Sequence, residues 1–337
     1  MNLQQRIDCL ISLGHQMETL TDPTLAAAMS RAESENAWFT RSGLEASLHA
    51  IRTRYLTAES LMLLVSRYRL DDHIRPGRVG LIMAGNIPLV GFHDLLCCFL
   101  TGHHALIKFS DKDRAMMQWV TDTLISSGAR DLITTAPVLR DYDAVIATGS
   151  NTSAMQFRRY FSHVPHIIRS NRNSVAVLTG TENDITLAML GSDVFSYFGL
   201  GCRNVSHLCV PRNYDLTALF RAFEPYRDTM EHHKYKNNLD YNLAVFLLNK
   251  EEFLHSEFLI LRASDQIASR IAVLHYHRYT DTADLSLWLR THSDEIQCIV
   301  SAEPVPGFDH IPFGQSQCPA IDTFADGVDT MQFLLSI

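Results

Sequence analysis

Apolar and polar positions follow two rhythms along this chain, and the change from one to the other marks out its elements. Over residues 1–70 the spacing is helical. Leu3, Ile7, Leu10, Ile11 and Leu13 form one face between polar and charged residues, a polar-capped stretch runs from Ser42 through Leu48, and an apolar-faced one from Leu56 to Tyr68. The chain is therefore expected to open with a helical preface. At Arg75-Pro76-Gly77 a turn signal gives way to VGLIMAG, a short apolar run ending at glycine, and then to NIPLVGFHDLLCCFLTG with helical periodicity. This predicts strand, loop, helix.

The same alternation continues. HALIKFS (104–110) predicts a second buried strand, DRAMMQWVTDTLISS a helix, and YDAVIATGS (142–150) a strand closing on a Gly-Ser loop. Such an order implies a parallel sheet wrapped by helices. Beyond Pro165, HIIRSNRNSVAVLTG supplies one or two strands, ITLAMLGSDVFSYF a helix, and VSHLCVP (205–211) a strand. From Asp215 to Leu289 helical patterns alternate with apolar runs such as YNLAVFLL and RIAVLHY, so a second α/β lobe is expected. The tail from Ser301 is rich in Pro, Gly and Asp but ends in the helical GVDTMQFLLSI, which should pack on the body. The expected division is residues 1–173 as helical preface and nucleotide-binding domain, 174–310 as catalytic domain, and 311–337 as a returning C-terminal segment.

Composition removes several classes of function. With 337 residues, 46% hydrophobic and 20% charged, the chain can bury a sizeable core and is long enough for two lobes. A net charge of −8 without a basic run argues against a nucleic-acid partner. The N-terminal segment lacks a signal peptide's continuous apolar core, and the most apolar stretch, Val79 to Gly102, is interrupted by Asn86, His93 and Asp94. No membrane span and a cytoplasmic location are expected. Seven cysteines at 9, 97, 98, 202, 209, 298 and 318, with no CxxC pair, suggest neither a disulfide framework nor a zinc knuckle.

Four local features carry chemistry. The loop MAGN (83–86), with Ala84, Gly85 and Asn86, follows a strand and opens a helix, where α/β sheets bind ligands, although it has too few glycines for GxGxxG and serves equally as a turn. Lys108 ends the next strand, followed by Ser110 and Asp111; these groups suit ribose hydroxyls, and a helix N-cap at Ser110 accounts for them as well. ATGSN (147–151), with Thr148, Gly149 and Ser150, is a further strand-end turn. Cys202, in FGLGCRNVS, follows Gly199 and Gly201 and precedes Arg203, a setting that can lower a thiol's pKa; a small buried hydrophobe is the plain alternative.

In this order the four features resemble the aldehyde dehydrogenase superfamily, and more closely its acyl-CoA reductase branch, the LuxC-like fatty acyl reductases of bacterial luminescence. PGRVGLIMAGNIPLVGFHDLLCCFLTGHHALIKFSDKD is similar to the superfamily's strand, Asn-bearing loop, helix and Lys-bearing strand, ATGS to its pyrophosphate turn, FSYFGLGCRNVSHLCVP to the branch's nucleophile segment, and FGQSQCPAIDTFADGVDTM to its closing motif. The resemblance implies an aldehyde dehydrogenase-like α/β fold, with a Rossmann-type parallel-sheet cofactor domain and a second α/β catalytic domain. It makes Cys202 the acyl-accepting nucleophile, with the Asn86 amide and the Cys202 N–H as oxyanion donors. Lys108, Ser110 and Asp111 would face the adenosine ribose, Ala84 and Gly85 would line the same cofactor site, and Thr148, Gly149 and Ser150 would form the pyrophosphate turn.

Two departures from the superfamily pattern matter. HIIRSNRN (166–173) contains no acid where hydrolytic members carry a glutamate, so water would lack its general base and a thiol can be the acyl partner. Near Phe313, where many members carry a nicotinamide-ribose glutamate, the chain reads DHIPFG. The implied activity is NADPH- or NADH-dependent reduction of an acyl-CoA or acyl-carrier thioester to an aldehyde, by a homo-oligomer. A cysteine acyltransferase or thioesterase that uses no nucleotide, and a catalytically silent subunit of an acyl-processing complex, are the other readings. No metal is expected, because His275 and His277 share a strand face without a third ligand of recognisable spacing. EHHKYKNN (231–238) is either a lining of the carrier's path or a solvated helix face.

Overall fold

The computed structural model describes residues 1–337. Four helices come first, α1 (Leu3–Glu18), α2 (Pro23–Glu35), α3 (Arg41–Arg54) and α4 (Ala58–Tyr68), each started by a side-chain cap from Asn2, Asp22, Thr40 and Thr57 respectively. Next come β1 (Arg78–Ile82), α5 (Phe92–Thr101), β2 (His104–Lys108), α6 (Arg114–Ser126), β3 (Ile133–Thr135), β4 (Ala144–Thr148), α7 (Asn151–Tyr160) and β5 (His166–Arg169). They are followed by β6 (Asn173–Val177), α8 (Asp184–Phe195), β7 (Val205–Pro211), α9 (Thr217–Ala222), α10 (His233–Leu248), β8 (Leu254–His255), β9 (Ile260–Ala263), β10 (Val273–Tyr279), α11 (Thr282–Thr291) and β11 (Ile296–Ser301). The last helix is α12 (Thr330–Leu335).

The chain divides into two compact units, Met1–Asn171 with Pro319–Ile337, and Arg172–Cys318. In the first, five parallel strands lie in the order β3-β2-β1-β4-β5. The chain builds outward from β1 to β3, then crosses to β4, so the order reverses between β1 and β4. Ligands bind at such a switch point in open α/β sheets. The helical preface belongs to this core: Arg6 of α1 is buried and its Nε donates to the Leu100 carbonyl of α5 at 3.2 Å. The closing segment returns to the same unit, where Arg169 Nη2 donates to Thr330 Oγ1 at 2.8 Å and the Tyr68 hydroxyl donates to Asp329 at 2.6 Å.

In the second unit six strands lie in the order β11-β6-β7-β10-β9-β8, parallel except for the short antiparallel edge β8. β7 is buried along nearly its whole length, as a central parallel strand must be. Residues 311–318, expected in the returning tail, belong to this unit because Ile311 exchanges backbone hydrogen bonds with Ser301 and Ile299 of β11. Two readings of the elements need correction. YNLAVFLL lies within helix α10 and is not a strand, and the short β3 was absent from the predicted pattern.

Candidate active site

Within the first unit, β1, β2 and β4 end side by side, with Ile82 aligned to Lys108 and next to the Ala147 register. The loop from Met83 to Gly91 is held from several sides. Leu89 adopts a left-handed backbone, φ 58°, and its N–H donates at 2.7 Å to the buried Asp113 carboxylate, while Ser47 Oγ donates to the Pro88 carbonyl at 2.8 Å. Burial pushes the Asp113 carboxyl well above its usual range, with the Leu89 N–H opposing that shift. Asn86 stands in this braced loop, partly exposed. Gly85 is required by close approach, since a Cβ there would stand 2.5 Å from Ser110 Oγ.

The remaining candidate groups of this unit cluster at the same sheet end. Lys108 is exposed at the end of β2. The Ser110 hydroxyl accepts from the Lys112 N–H at 3.3 Å, and the Asp111 carboxylate pairs with Arg114 at 2.7 Å. At the end of β4, Thr148 and the following Gly149 are half-buried, and Gly149 donates to the Arg169 carbonyl at 3.2 Å. Ser150 caps α7 through the Ser153 N–H, so its hydroxyl is engaged and the site's anion-binding potential lies in backbone N–H groups at the helix start. An exposed cation, a close-packed Gly–Ser contact and a helix N-terminus fit a dinucleotide's ribose and pyrophosphate.

Arg169, at the carboxyl end of β5, is 5% exposed, and its Nη1 donates to both oxygens of Asp94 at 2.8 and 2.6 Å. The HIIRSNRN stretch thus presents a paired guanidinium, and both oxygens of its Asp94 partner are occupied.

Within the second unit, Cys202 is half-buried and in no disulfide, on the turn that leads into β7. Ahead of it Tyr197, Phe198 and Gly199 are successively left-handed, with φ of 50°, 57° and 77°. Only glycine adopts that region without cost, so the two aromatics store backbone strain of about 1–2 kcal/mol each. Asn204, 1% exposed, holds the segment in shape: its Oδ1 accepts the Gly201 N–H at 2.8 Å, and its Nδ2 donates to the Asp193 and Ser196 carbonyls at 3.0 and 2.8 Å. The same amide satisfies carbonyls that the end of α8 leaves open.

Ser174 of β6, fully buried, donates to the Cys202 carbonyl at 3.1 Å and lies 2.9 Å from Cys298 Sγ. Arg203 has its guanidinium beside Cys298, where burial raises the thiol's pKa and Arg203 opposes the rise. The buried Asp193 accepts from the Gly314 and Ser316 N–H groups at 2.6 and 3.0 Å, anchoring the PFGQSQ loop to α8. EHHKYKNN packs on the segment ahead of Cys202, with the His232 ring 4.3 Å from that of Phe198. Sequence reading missed Asn204, Ser174 and Asp193; the one available signal was an uncharged amide, Asn204, directly before an apolar strand.

No family model matches the sequence, and no curated protein does. Solved structures do match. Aldehyde dehydrogenase 21 of Physcomitrella patens, solved with the reaction product succinate, aligns with 100% of this chain and 84% of its own, at TM-score 0.70 and 10% identity. A 1-pyrroline-5-carboxylate dehydrogenase of Thermus thermophilus aligns over 99% and 80%, at TM-score 0.65 and 11% identity. An aldehyde dehydrogenase of Mycobacterium tuberculosis complexed with NAD+ aligns over 89% and 73%, at TM-score 0.65 and 13% identity. With its five-stranded Rossmann-type sheet, its second α/β unit and these matches, the chain has the aldehyde dehydrogenase fold.

Proposed function

We propose that this protein reduces an acyl thioester, a fatty acyl-CoA or acyl-carrier thioester, to the aldehyde with NADPH or NADH, through an acyl group held on Cys202. The observation that carries the reading is the construction around Cys202: a half-buried cysteine on a strained turn, held by Asn204 and Ser174. Strain of this kind is retained where a reacting group has to be presented. The acid-free end of β5 supports reduction over hydrolysis, because Asp94 is tied to Arg169 and the stretch supplies no base to activate water.

In this reading the Cys202 thiolate attacks the thioester carbon, and the Asn86 amide and the Cys202 N–H stabilise the oxyanion. Collapse expels the carrier thiol and leaves a thioester on Cys202. The reduced nicotinamide supplies a hydride when bound. The resulting thiohemiacetal oxyanion takes the same donors, and its collapse releases the aldehyde and restores the thiolate.

Lys108, Ser110 and Asp111 would hold the adenosine ribose, Ala84 and Gly85 its surroundings, and Thr148, Gly149 and Ser150 the pyrophosphate. NAD+ in the Mycobacterium tuberculosis structure gives the fold a dinucleotide precedent. Arg114 beside Asp111 offsets the repulsion a lone carboxylate would exert on a 2′-phosphate, which keeps NADPH as well as NADH.

The test is a panel of acyl-CoAs from short to long chain with NADH and NADPH, on wild type and Cys202→Ser, reading nicotinamide absorbance and aldehyde. Wild type should turn over and Cys202→Ser should not. Equal activity in both, or wild type that neither oxidises nor binds either nucleotide, sinks the reading.

A further inference from the structure

The second unit contains a cluster that the Cys202 chemistry does not use. His207 and Cys209 lie two residues apart on β7 and so share one face of the sheet. His277 of β10 is register-paired with Cys209. The third ligand that sequence spacing around His275 and His277 lacked is therefore supplied by a strand some seventy positions upstream (277 − 207).

One ring nitrogen each of His207 and His277 and the Cys209 Sγ all lie within 4.8 Å of one another. His207 Nδ1 donates to the Gln266 carbonyl at 3.0 Å, which fixes the tautomer and leaves Nε2 as an acceptor. His277 Nδ1 donates to it at 3.0 Å, while the other His277 nitrogen, Nε2, is buried without a partner. The apo cluster is thus an incompletely satisfied network. Trp288 of α11 stacks on both imidazoles, at 4.7 and 4.1 Å between ring centres, and fixes their planes.

The geometry points to a metal site for a thiophilic closed-shell cation, copper(I) or zinc(II), held by His207 Nε2, His277 Nδ1 and Cys209 Sγ. Two imidazoles and a thiolate are the donor set such ions select. Donors at ordinary bond lengths around one ion stand about 3.3–3.8 Å apart, so shifts of about an ångström close a site whose donors lie within 4.8 Å of one another. On binding, Cys209 releases its proton to solvent and the His277 proton moves from Nδ1 to Nε2, giving one proton released per ion. His207 and Cys209 are fully buried, and no carboxylate is among the three donors. A thiolate cancels the charge of copper(I) and leaves zinc(II) with net charge to bury, so copper(I) should bind the tighter. The ion would tie β7 to β10, two strands of the sheet that the Cys202 turn feeds.

The full-length chain, stripped with chelator and kept anaerobic, should be titrated with copper(I) and with zinc(II) against chromophoric chelators. X-ray absorption on the loaded wild type should follow. The expected result is one ion per chain, with one sulfur and two imidazole nitrogens around it. Cys209→Ser should weaken binding by at least about 100-fold, and His277→Phe, which keeps the stack on Trp288, likewise. Cys202→Ser should leave it unchanged, and the ion should raise the thermal midpoint of the wild type. Sub-stoichiometric binding, a coordination shell without sulfur, or binding lost in Cys202→Ser overturns the proposal. The absorption spectrum and Cys202→Ser decide the matter even where the buried variants fail to fold.

Discussion

Asn204 holds Gly201 by a 2.8 Å hydrogen bond from the Gly201 N–H to its side-chain oxygen, and both groups are buried. The amide of the same side chain is committed to the end of α8. Asn204→Ala would strand a buried N–H and two carbonyls, a loss of about 3 kcal/mol. Denaturant unfolding should show that loss, and Cys202 alkylation should change in rate even in the folded fraction. A variant of wild-type stability with unchanged alkylation would mean that the turn holds its shape without Asn204.

Tyr197 tests the strain on the same turn. Tyr197→Gly and Tyr197→Ala both remove the ring, but only glycine relieves φ of 50°. The glycine variant should be the more stable by about 1 kcal/mol, while its turnover falls as the turn loosens. Equal stability of the two variants would show that the left-handed backbone costs nothing there.

Asn86→Ala should lower turnover by about 10²- to 10³-fold, the usual effect of removing one oxyanion donor, with circular dichroism and nucleotide binding unchanged. A mere rise in KM at constant kcat would assign the side chain to substrate binding instead.

Asp113 makes stability depend on pH. Its folded pKa lies above the unfolded value, so the folded state holds a proton that the unfolded state has lost; the stabilisation is complete below the unfolded pKa and fades as pH rises through the folded one. Asp113→Asn removes this slope. Thermal midpoints of the two proteins, measured from pH 4 to 8, should favour wild type most at the acid end. Parallel curves would show that the carboxyl does not titrate in that window.

The buried Arg169–Asp94 pair predicts an asymmetry. Asp94→Asn leaves a guanidinium 5% exposed without its counter-charge and should cost about 3–5 kcal/mol, whereas Asp94→Leu combined with Arg169→Met should cost much less. Denaturation of the three proteins checks it, and additive losses would contradict it.

The sequence was most legible where one physical pattern acted alone. β1, β2, β4 and β7 are continuous apolar runs because parallel strands are covered on both faces, and each could be read from composition. β3 was invisible because it has three residues, of which only Ile133 is buried. YNLAVFLL misled as an apolar run: Leu247 and Leu248 are exposed at the end of α10, so the hydrophobicity there does not report a core. Cys202 and the strand-end loops could be found from their glycines. Ser174 and Asp193 could not, because each acts on a backbone group that only folding brings near: Asp193 reaches Gly314, and Ser174 of β6 reaches the Cys202 turn. The His207–Cys209–His277 cluster escaped for the same reason, being a product of strand register.

The return of residues 319–337 to the first unit sets a timetable for the chain. His103 Nε2 contacts the Leu334 carbonyl at 2.8 Å, and Arg169 contacts Thr330, so interior groups of the first unit take partners from a segment made after the second unit. During synthesis the second unit, one unbroken segment, can complete its sheet first. The first unit, begun earlier, already gives Arg169 its Asp94 and His103 Nδ1 the Gly77 N–H, but it must wait for residues 319–337 before Arg169 Nη2 and His103 Nε2 find theirs.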